Sequence, residues 1–388
     1  MKGKNVLYIG GFELPDKNAA AHRVLSNGKI VKELGHEVFY MGISNDPECN
    51  LDVIKTKSIK DYGADYQTKY PTSKKEWLHY LSSISAVVSV IKSENIDVII
   101  AYNYPALSLF KLNKYCKKNE IKLVADCTEW YVAEGNFVYR IIKGLDSFFR
   151  MRIIQPKLDG LIVISNYLFN YYSKKNKNII LVPPLVDLED KKWKQSKENN
   201  KNNDTCSFIY AGSPDGKTKD HLGKIISAFK DVKKEFKFNI LGITAEKYEE
   251  IWSDTPIPNS LKESIHFYGR VSNSEVIKRL KESDFSIFIR EENLITKAGF
   301  PTKFVEAISA GTPVLSNKCS NIEEYLIDGV NGFFVDISNV STLTSSLDFV
   351  LNCNRDKMEE MKLNCIKHNK FNYLEYNNEF KGLLDFKA

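Results

Sequence analysis

The chain predicts an α/β fold of two Rossmann-like domains, each an open parallel sheet covered by helices. Three observations carry this. The 388 residues exceed what a single hydrophobic core ordinarily serves. Short apolar runs of strand length alternate with helix-length amphipathic stretches along nearly the whole chain, the pattern of β-α-β units. The alternation breaks once, at residues 187–204, where Lys, Asn and Glu dominate a low-complexity run that reads as an interdomain linker. The domains are therefore expected over 1–186 and 205–372, with 373–388 returning to the first.

In chain order, residues 5–9 form an apolar strand ending in Gly10-Gly11, and a helix over 19–34 closes at Gly35-His36-Glu37 before a strand over 38–42. The glycines do not make GxGxxG, so Gly10 and Gly11 either let the backbone approach a ligand or simply make a tight turn. Residues 44–75 are polar, rich in Lys and Tyr, and read as an irregular excursion. A helix over 77–93, a strand over 97–102, a helix over 105–118 and a strand over 122–126 resume the alternation. The last strand runs into Asp126-Cys127-Thr128-Glu129-Trp130-Tyr131. Rings stack on pyranose faces and carboxylates accept from hydroxyls, so this edge suits a sugar, although capping and core packing would use the same residues. Residues 139–157, YRIIKGLDSFFRMRIIQPK, set apolar pairs among Arg140, Lys143, Arg150, Arg152 and Lys157. Such a helix either lies on a membrane or covers a sheet with its charges outward, and the pattern leaves both open. A strand over 160–165, a helix over 166–173 and a strand over 179–182 complete the first domain.

The second domain opens with a strand over 207–210, the loop Ala211-Gly212-Ser213-Pro214-Asp215-Gly216-Lys217-Thr218-Lys219 and a helix over 221–236. The loop is one residue short of GxxxxGK[ST] and starts at Ala211, which argues against a P-loop but leaves a phosphate-facing loop with Lys217 or Lys219. Strands over 237–241 and 265–268, the turn Gly269-Arg270-Val271 and a helix over 273–282 lead to FSIFIREENLITKAGFPTKFVEAISAGTPVL, residues 285–315. This reads as a strand over 285–290, a polar loop ending in Gly299-Phe300-Pro301, a helix from Thr302 and a strand opening at Pro313. Backbone N–H groups and the helix dipole favour an anion at such a corner. Lys303 at the helix start and Glu306 one turn inside suit a ligand with phosphate at one end and hydroxyls at the other, which describes a nucleotide sugar. Beyond it a helix over 321–328, a turn over 329–332, a strand over 333–336 and two helices precede the closing segment 373–386.

Composition narrows the partners. With 43% apolar and 27% charged residues the chain is ordinary for a globular protein, and its apolar runs fall far short of the roughly 20 residues of a membrane span. The apolar core of the first ten residues is too short for a signal peptide, so a first strand and a cytoplasmic protein are expected. Seven cysteines without CxxC spacing and six histidines without HExxH spacing suggest free thiols and no metal site. Residues 1–188 hold 26 Lys/Arg against 19 Asp/Glu, the remainder 29 against 30, so the first half should meet the more acidic partner. No recognition motif accompanies these scattered charges, which argues against nucleic acid and for an anionic membrane or a pyrophosphate-linked acceptor, with plain solubility as the alternative.

With these motifs placed, the chain resembles family-4 retaining glycosyltransferases of the GT-B architecture, two facing Rossmann-like domains that hold a nucleotide sugar in their cleft. The likeness covers essentially the whole chain. It is carried by YAGSPDGKTKDHLGKIISAF, IHFYGRVSNSEVIKRLKESDFSIF, GFPTKFVEAISAGTPVLSN and NIEEYLIDGVNGFFVD, with GGF, ELGHEV and VISNYLFNYY in the first domain. The resemblance implies that Glu306 grips the ribose and that Lys219, or Lys217, binds phosphate. It places Gly299, Phe300, Pro301 and Thr302 against the sugar and diphosphate, and Arg270 near the base. Lys303 matches the lysine of a subgroup reading FPxK, where it would stabilise the leaving diphosphate. Gly11, Gly212 and Ser213, the last where arginine is usual, border the donor. Asp126 joins Lys219, Lys303 and Glu306 as a catalytic candidate, and His22, Arg23, Glu129 and Trp130 are acceptor-binding candidates.

Two departures stand out. Ala298 occupies the place of a glutamate that contacts the donor sugar, which Glu291 or Glu292 would have to replace, and Thr128 or Asp126 stands where a histidine is usual. The implied activity is sugar transfer from a UDP- or GDP-sugar to a glycan or polyprenyl-pyrophosphate-linked acceptor of cell-surface polysaccharide, capsule or O-antigen, without metal or cofactor, at the inner face of the cell membrane. The alternatives are a non-catalytic nucleotide-sugar-binding subunit and a nucleotide-sugar epimerase or hydrolase.

Overall fold

The computed structural model describes residues 3–15, 18–45, 54–59, 63–130, 137–194, 205–214 and 220–385. The chain divides into two compact units. One comprises Met1–Leu185, Ala298–Phe300 and Asn372–Ala388, the other Val186–Lys297 and Pro301–Phe371.

The first unit runs β1 (Asn5–Gly10), α1 (Ala19–Glu33), β2 (Glu37–Ser44), β3 (Ile54–Ile59), β4 (Gly63–Lys69), α2 (Lys74–Ser82), α3 (Ser85–Glu94), β5 (Val98–Tyr102), α4 (Ala106–Lys118), β6 (Lys122–Cys127), α5 (Phe137–Phe149), β7 (Gly160–Val163), α6 (Asn166–Tyr172) and β8 (Ile179–Leu181). Its eight strands lie in the order β3-β4-β2-β1-β5-β6-β7-β8. Every pairing is parallel except β3 with β4. β1 is central because NVLYIG is apolar along almost its whole length, as a strand covered on both faces must be. α1 starts where the Asn18 side chain accepts from the Ala21 N–H at 2.8 Å. It packs Val24, Ile30 and Val31 into a core with Val6, Tyr8, Ile100 and Val124.

The second unit runs β9 (Cys206–Ala211), α7 (Leu222–Phe229), β10 (Phe236–Leu241), α8 (Ala245–Ile251), β11 (Ile265–Phe267), α9 (Asn273–Glu282), β12 (Phe285–Ile287), α10 (Leu294–Ala298), α11 (Thr302–Ala310), β13 (Val314–Ser316), β14 (Gly332–Phe334), α12 (Val340–Leu351) and α13 (Arg355–Lys367). Its parallel six-stranded sheet has the order β11-β10-β9-β12-β13-β14. The rings of Phe208, Phe229, Phe236, Phe238 and Phe285 stack and edge against one another at its centre. A final helix, α14 (Asn377–Asp385), buries Phe380, Leu383 and Leu384 in the core of the first unit. Both sheets are thus of the open parallel kind the sequence predicts.

Five local expectations are revised. Residues 44–75 are not wholly irregular, since β3 and β4 extend the first sheet; polar edge strands carry little of the apolar alternation that betrays a strand. The helix expected over 77–93 is two helices, broken at Ser83 (ψ 143°), whose hydroxyl accepts from the Ser85 N–H at 3.3 Å. The helix expected over 221–236 ends at Phe229 because Phe236 already opens β10, and the one expected over 321–328 is a single 3₁₀ turn, Ile322–Glu324. Part of the expected linker is built into the second unit, where Lys191–Trp193 forms a 3₁₀ turn that buries the Trp193 ring. No helix among the described residues is long and apolar enough to cross a membrane.

Candidate active site

In the second unit three strand-end turns press together. Gly242, at φ +98°, donates to the Gly269 carbonyl at 2.7 Å, and Gly212 donates to that of Leu241 at 3.2 Å. A Cβ on Gly242 would stand 2.1 Å from the Gly212 carbonyl oxygen, and one on Gly212 would stand 2.6 Å from Lys303 Nζ. Only glycine permits such approach. Gly212, the first residue after β9, therefore lies directly against the ammonium of Lys303, the second residue of α11.

That ammonium is buried and paired. Lys303 Nζ donates to Asp220 Oδ2 at 2.6 Å and sits 4.1 Å from the centre of the Tyr210 ring. The Tyr210 hydroxyl donates to the same oxygen at 2.7 Å, and Arg290 Nε donates to Asp220 Oδ1 at 2.8 Å. Burial alone would push the Asp220 carboxyl up, but Lys303 and Arg290, with the hydrogen bonds from Lys303 and Tyr210, hold it well below the usual carboxylate range. Two cations on one carboxylate leave this corner net positive. No side chain caps the α11 N-terminus, where Pro301 stands, so the positive end of the helix dipole adds to that charge.

Glu306 lies one turn along α11 from Lys303, on the same side of the helix. It is half-buried and accepts from Asn273 Nδ2 at 3.2 Å. Burial raises its pKa, opposed by the Asn273 hydrogen bond and by the charges of Lys192 and Lys303. Of the other donor candidates, Arg270 and Ser213 are exposed, Gly299 and Thr302 half-buried, Phe300 and Pro301 buried. Lys217 and Lys219 lie outside the described residues. Ala298 is fully buried, and its proposed substitutes Glu291 and Glu292 are exposed, with Glu292 paired to Lys297 at 2.9 Å.

In the first unit Gly10 closes on Tyr102, where a Cβ would stand 2.6 Å from the carbonyl oxygen, and Gly11 is exposed. Asp126 and Arg23 take a different part from the one expected of them. Asp126 is fully buried and accepts from Arg23 Nη2 at 2.8 Å, Arg23 Nε at 3.0 Å and the Tyr8 hydroxyl at 2.5 Å. Arg23 Nη1 donates to the Val182 carbonyl at 2.9 Å, and Asn27 donates to the Tyr8 hydroxyl at 3.0 Å. A carboxylate without exposed surface and with these partners is an internal counter-ion, so the geometry moves Asp126 from the catalytic set and Arg23 from the acceptor set into the core. Thr128, at the place of the usual histidine, is buried and tied to Asn103, from whose Nδ2 it accepts at 2.7 Å. Glu129 is exposed, His22 half-buried, and Trp130 half-buried with its ring edge-on to Tyr167 and Tyr171.

Sequence reasoning missed Asp220, Arg290 and Tyr210. A signal existed for Arg290, a lone charge closing the apolar run FSIFI, whereas Asp220 hides in the charged run KTKD. Among the described residues no group of three or more His, Cys, Asp or Glu side chains is placed to hold a metal.

Comparison with solved structures gives the same architecture over the whole chain. Sucrose-phosphate synthase of Thermosynechococcus elongatus superposes with a TM-score of 0.73 at 13% identity, covering 98% of both chains. HepE of Anabaena, solved with UDP and glucose, superposes with a TM-score of 0.68 at 13% identity, covering 98% of this chain and 99% of its own. The fold is that of the GT-B class. Its residues 191–369, which hold Lys303 and Glu306, match the family model of group 1 glycosyl transferases. An uncharacterized 41.2 kDa protein in the cps region of Klebsiella pneumoniae is 24% identical over 289 residues, 69% of this chain and 74% of that protein.

Proposed function

We propose that the chain moves a sugar from a UDP- or GDP-sugar, with retention of anomeric configuration, to a glycan or polyprenyl-pyrophosphate-linked acceptor during assembly of a cell-surface polysaccharide. The observation that carries this is the net-positive Lys303–Asp220–Arg290 corner one helical turn from Glu306. Glu306 would accept from ribose hydroxyls, and the Lys303 charge would stabilise the diphosphate as it leaves. The acceptor oxygen bonds to the anomeric carbon as the bond from that carbon to the diphosphate oxygen breaks. The electron pair stays on the diphosphate, and a β-phosphate oxygen takes the acceptor's hydroxyl proton, so the step calls on neither a protein base nor a metal or cofactor. UDP bound to HepE supports a nucleotide donor, and the cps-region relative supports the capsule setting. With a lipid-linked acceptor the protein would work at the inner face of the membrane. Residues 217, 219, 270, 299–302 and 213 are proposed to complete the donor site, with His22, Glu129 and Trp130 toward the acceptor.

A second reading rests on Ala298 and Thr128, which remove two side chains expected to help turnover: a subunit that binds the nucleotide sugar without transferring it. A thermal-shift screen over UDP, GDP and their sugars, with a donor-hydrolysis and transfer assay, separates the two. A ligand that binds only the folded state raises the melting temperature. Stabilisation by a nucleotide with turnover supports the transferase, and stabilisation without turnover on any lipid-linked acceptor supports the binding subunit. Glu306→Ala should weaken nucleotide binding by about 10- to 100-fold, the worth of one or two charge-assisted hydrogen bonds. Unchanged affinity would refute the site.

A further inference from the structure

We infer that α5 is the docking face for an anionic lipid bilayer. The helix is inverted relative to one that covers a sheet. Phe137, Ile141, Ile142, Leu145, Phe148 and Phe149 are exposed by 45% to 76%, and at the helical 100° per residue they share one arc of about 140°. Among its described residues the helix turns the polar Asp146 and Ser147 toward the protein. Asp146 accepts from the Ala106 N–H at 2.7 Å and lies 3.9 Å from Arg150, which is buried and donates to the Asn103 carbonyl at 3.2 Å. The stripe that a sheet-covering helix would bury thus faces solvent, and a contiguous apolar surface of this kind marks an interaction site.

Charge selects the occupant. Residues 137–157 hold five cations, of which Arg150 is buried and Arg140, Lys143, Arg152 and Lys157 are not, against the single inward-turned Asp146. The neighbouring α4 adds exposed Leu107 and Phe110 with Lys111 and Lys114, and no acid. Lys114 Nζ stands 4.5 Å from the Phe110 ring centre and the Arg152 guanidinium 5.1 Å from that of Phe148, so cations edge the apolar surface itself. Apolar side chains for the acyl boundary edged by cations for lipid phosphates is the complement of an anionic interface. A second copy would set cation against cation, which works against self-association. The inference locates the membrane contact proposed above, yet it stands on α5 alone and its test needs no sugar donor.

The test is flotation of the full chain with vesicles of phosphatidylcholine, alone or with about 30% phosphatidylglycerol. The variants are Ile142→Ser/Phe149→Ser and Arg140→Gln/Arg152→Gln, all at exposed positions outside the donor corner. Binding is expected to the anionic vesicles only, reduced about tenfold or more in both double variants, with any UDP-induced thermal shift unchanged. Three results would overturn the inference: no flotation with anionic vesicles, equal flotation with neutral ones, or a dimer in light scattering that Ile142→Ser/Phe149→Ser breaks. A wild-type chain that floats but shows no nucleotide-induced shift would refute the donor site and leave the docking face standing.

Discussion

Lys303 and Asp220 meet at 2.6 Å with both side chains buried, and Arg290 holds the other oxygen of the same carboxylate. Removing the carboxylate strands two cations, whereas removing Lys303 leaves Asp220 with Arg290 and Tyr210. Breaking a buried pair from one side typically costs about 3–5 kcal/mol. Asp220→Asn should reach that range in urea unfolding, and Lys303→Met should cost clearly less while lowering nucleotide affinity more. The reverse order of stabilities would show that Arg290 does not hold Asp220 by itself.

The same carboxyl sets an acid limit. Its pKa in the folded chain lies below the unfolded value of about 3.9, so its contribution is fully present above that pH and is lost as pH falls toward the folded value. The stability gap between wild type and Asp220→Asn should therefore be constant from pH 7 to about 5 and shrink below about 4. A gap independent of pH down to about 3 would mean that Asp220 does not ionise differently in the folded state.

How much of this was legible in the sequence depends on what each element presents to water. Strands buried on both faces, such as β1 and β9, announce themselves as apolar runs, so the two-sheet architecture could be read directly. β3 and β4 could not, because a polar edge strand lacks that run. Lys303 and Glu306 were legible through their place at a strand-loop-helix corner. Asp220 was not, because its role depends on Lys303 and Arg290, 83 and 70 residues away. Asp126 misled for the complementary reason: a carboxylate at a strand's C-terminal edge reads alike whether it faces a ligand or, as here, an arginine 103 residues earlier.

Glu306 behaves oppositely to Asp220. Burial raises its pKa, so it takes up a proton at a pH above the ordinary carboxylate range, and the neutral form accepts from ribose hydroxyls less well. UDP affinity measured by calorimetry should begin to fall on acidification before an ordinary glutamate titrates, and Glu306→Gln should flatten the profile. With a raised folded pKa, the ionised side chain costs stability as pH rises through that value, so Glu306→Gln should gain stability over wild type from pH 4 to 7. A wild-type affinity flat over that interval would contradict the role.

For Asp126 the decisive comparison is between folding and turnover. The Arg23–Asp126 pair is buried on both sides, so Asp126→Asn should cost about 3–5 kcal/mol while nucleotide affinity stays unchanged. Intact stability with collapsed turnover would restore Asp126 to the catalytic set.

The glycine turns make the last prediction. At Gly242 a methyl group would meet the Gly212 carbonyl, which is backbone, and the positive φ is itself unfavourable to any other residue. Gly242→Ala should therefore cost more than about 2 kcal/mol. At Gly212 the obstacle is Lys303 Nζ, the far end of a flexible side chain that is nonetheless pinned by Asp220. Gly212→Ala should cost about 1–3 kcal/mol and, by pushing the ammonium off Asp220, also lower nucleotide affinity. The mechanism requires coupling: in a Lys303→Ala background the obstacle is gone, so Gly212→Ala should cost at least about 1 kcal/mol less than in wild type. Additive losses in that double-mutant cycle would mean that Gly212 is not seated on Lys303.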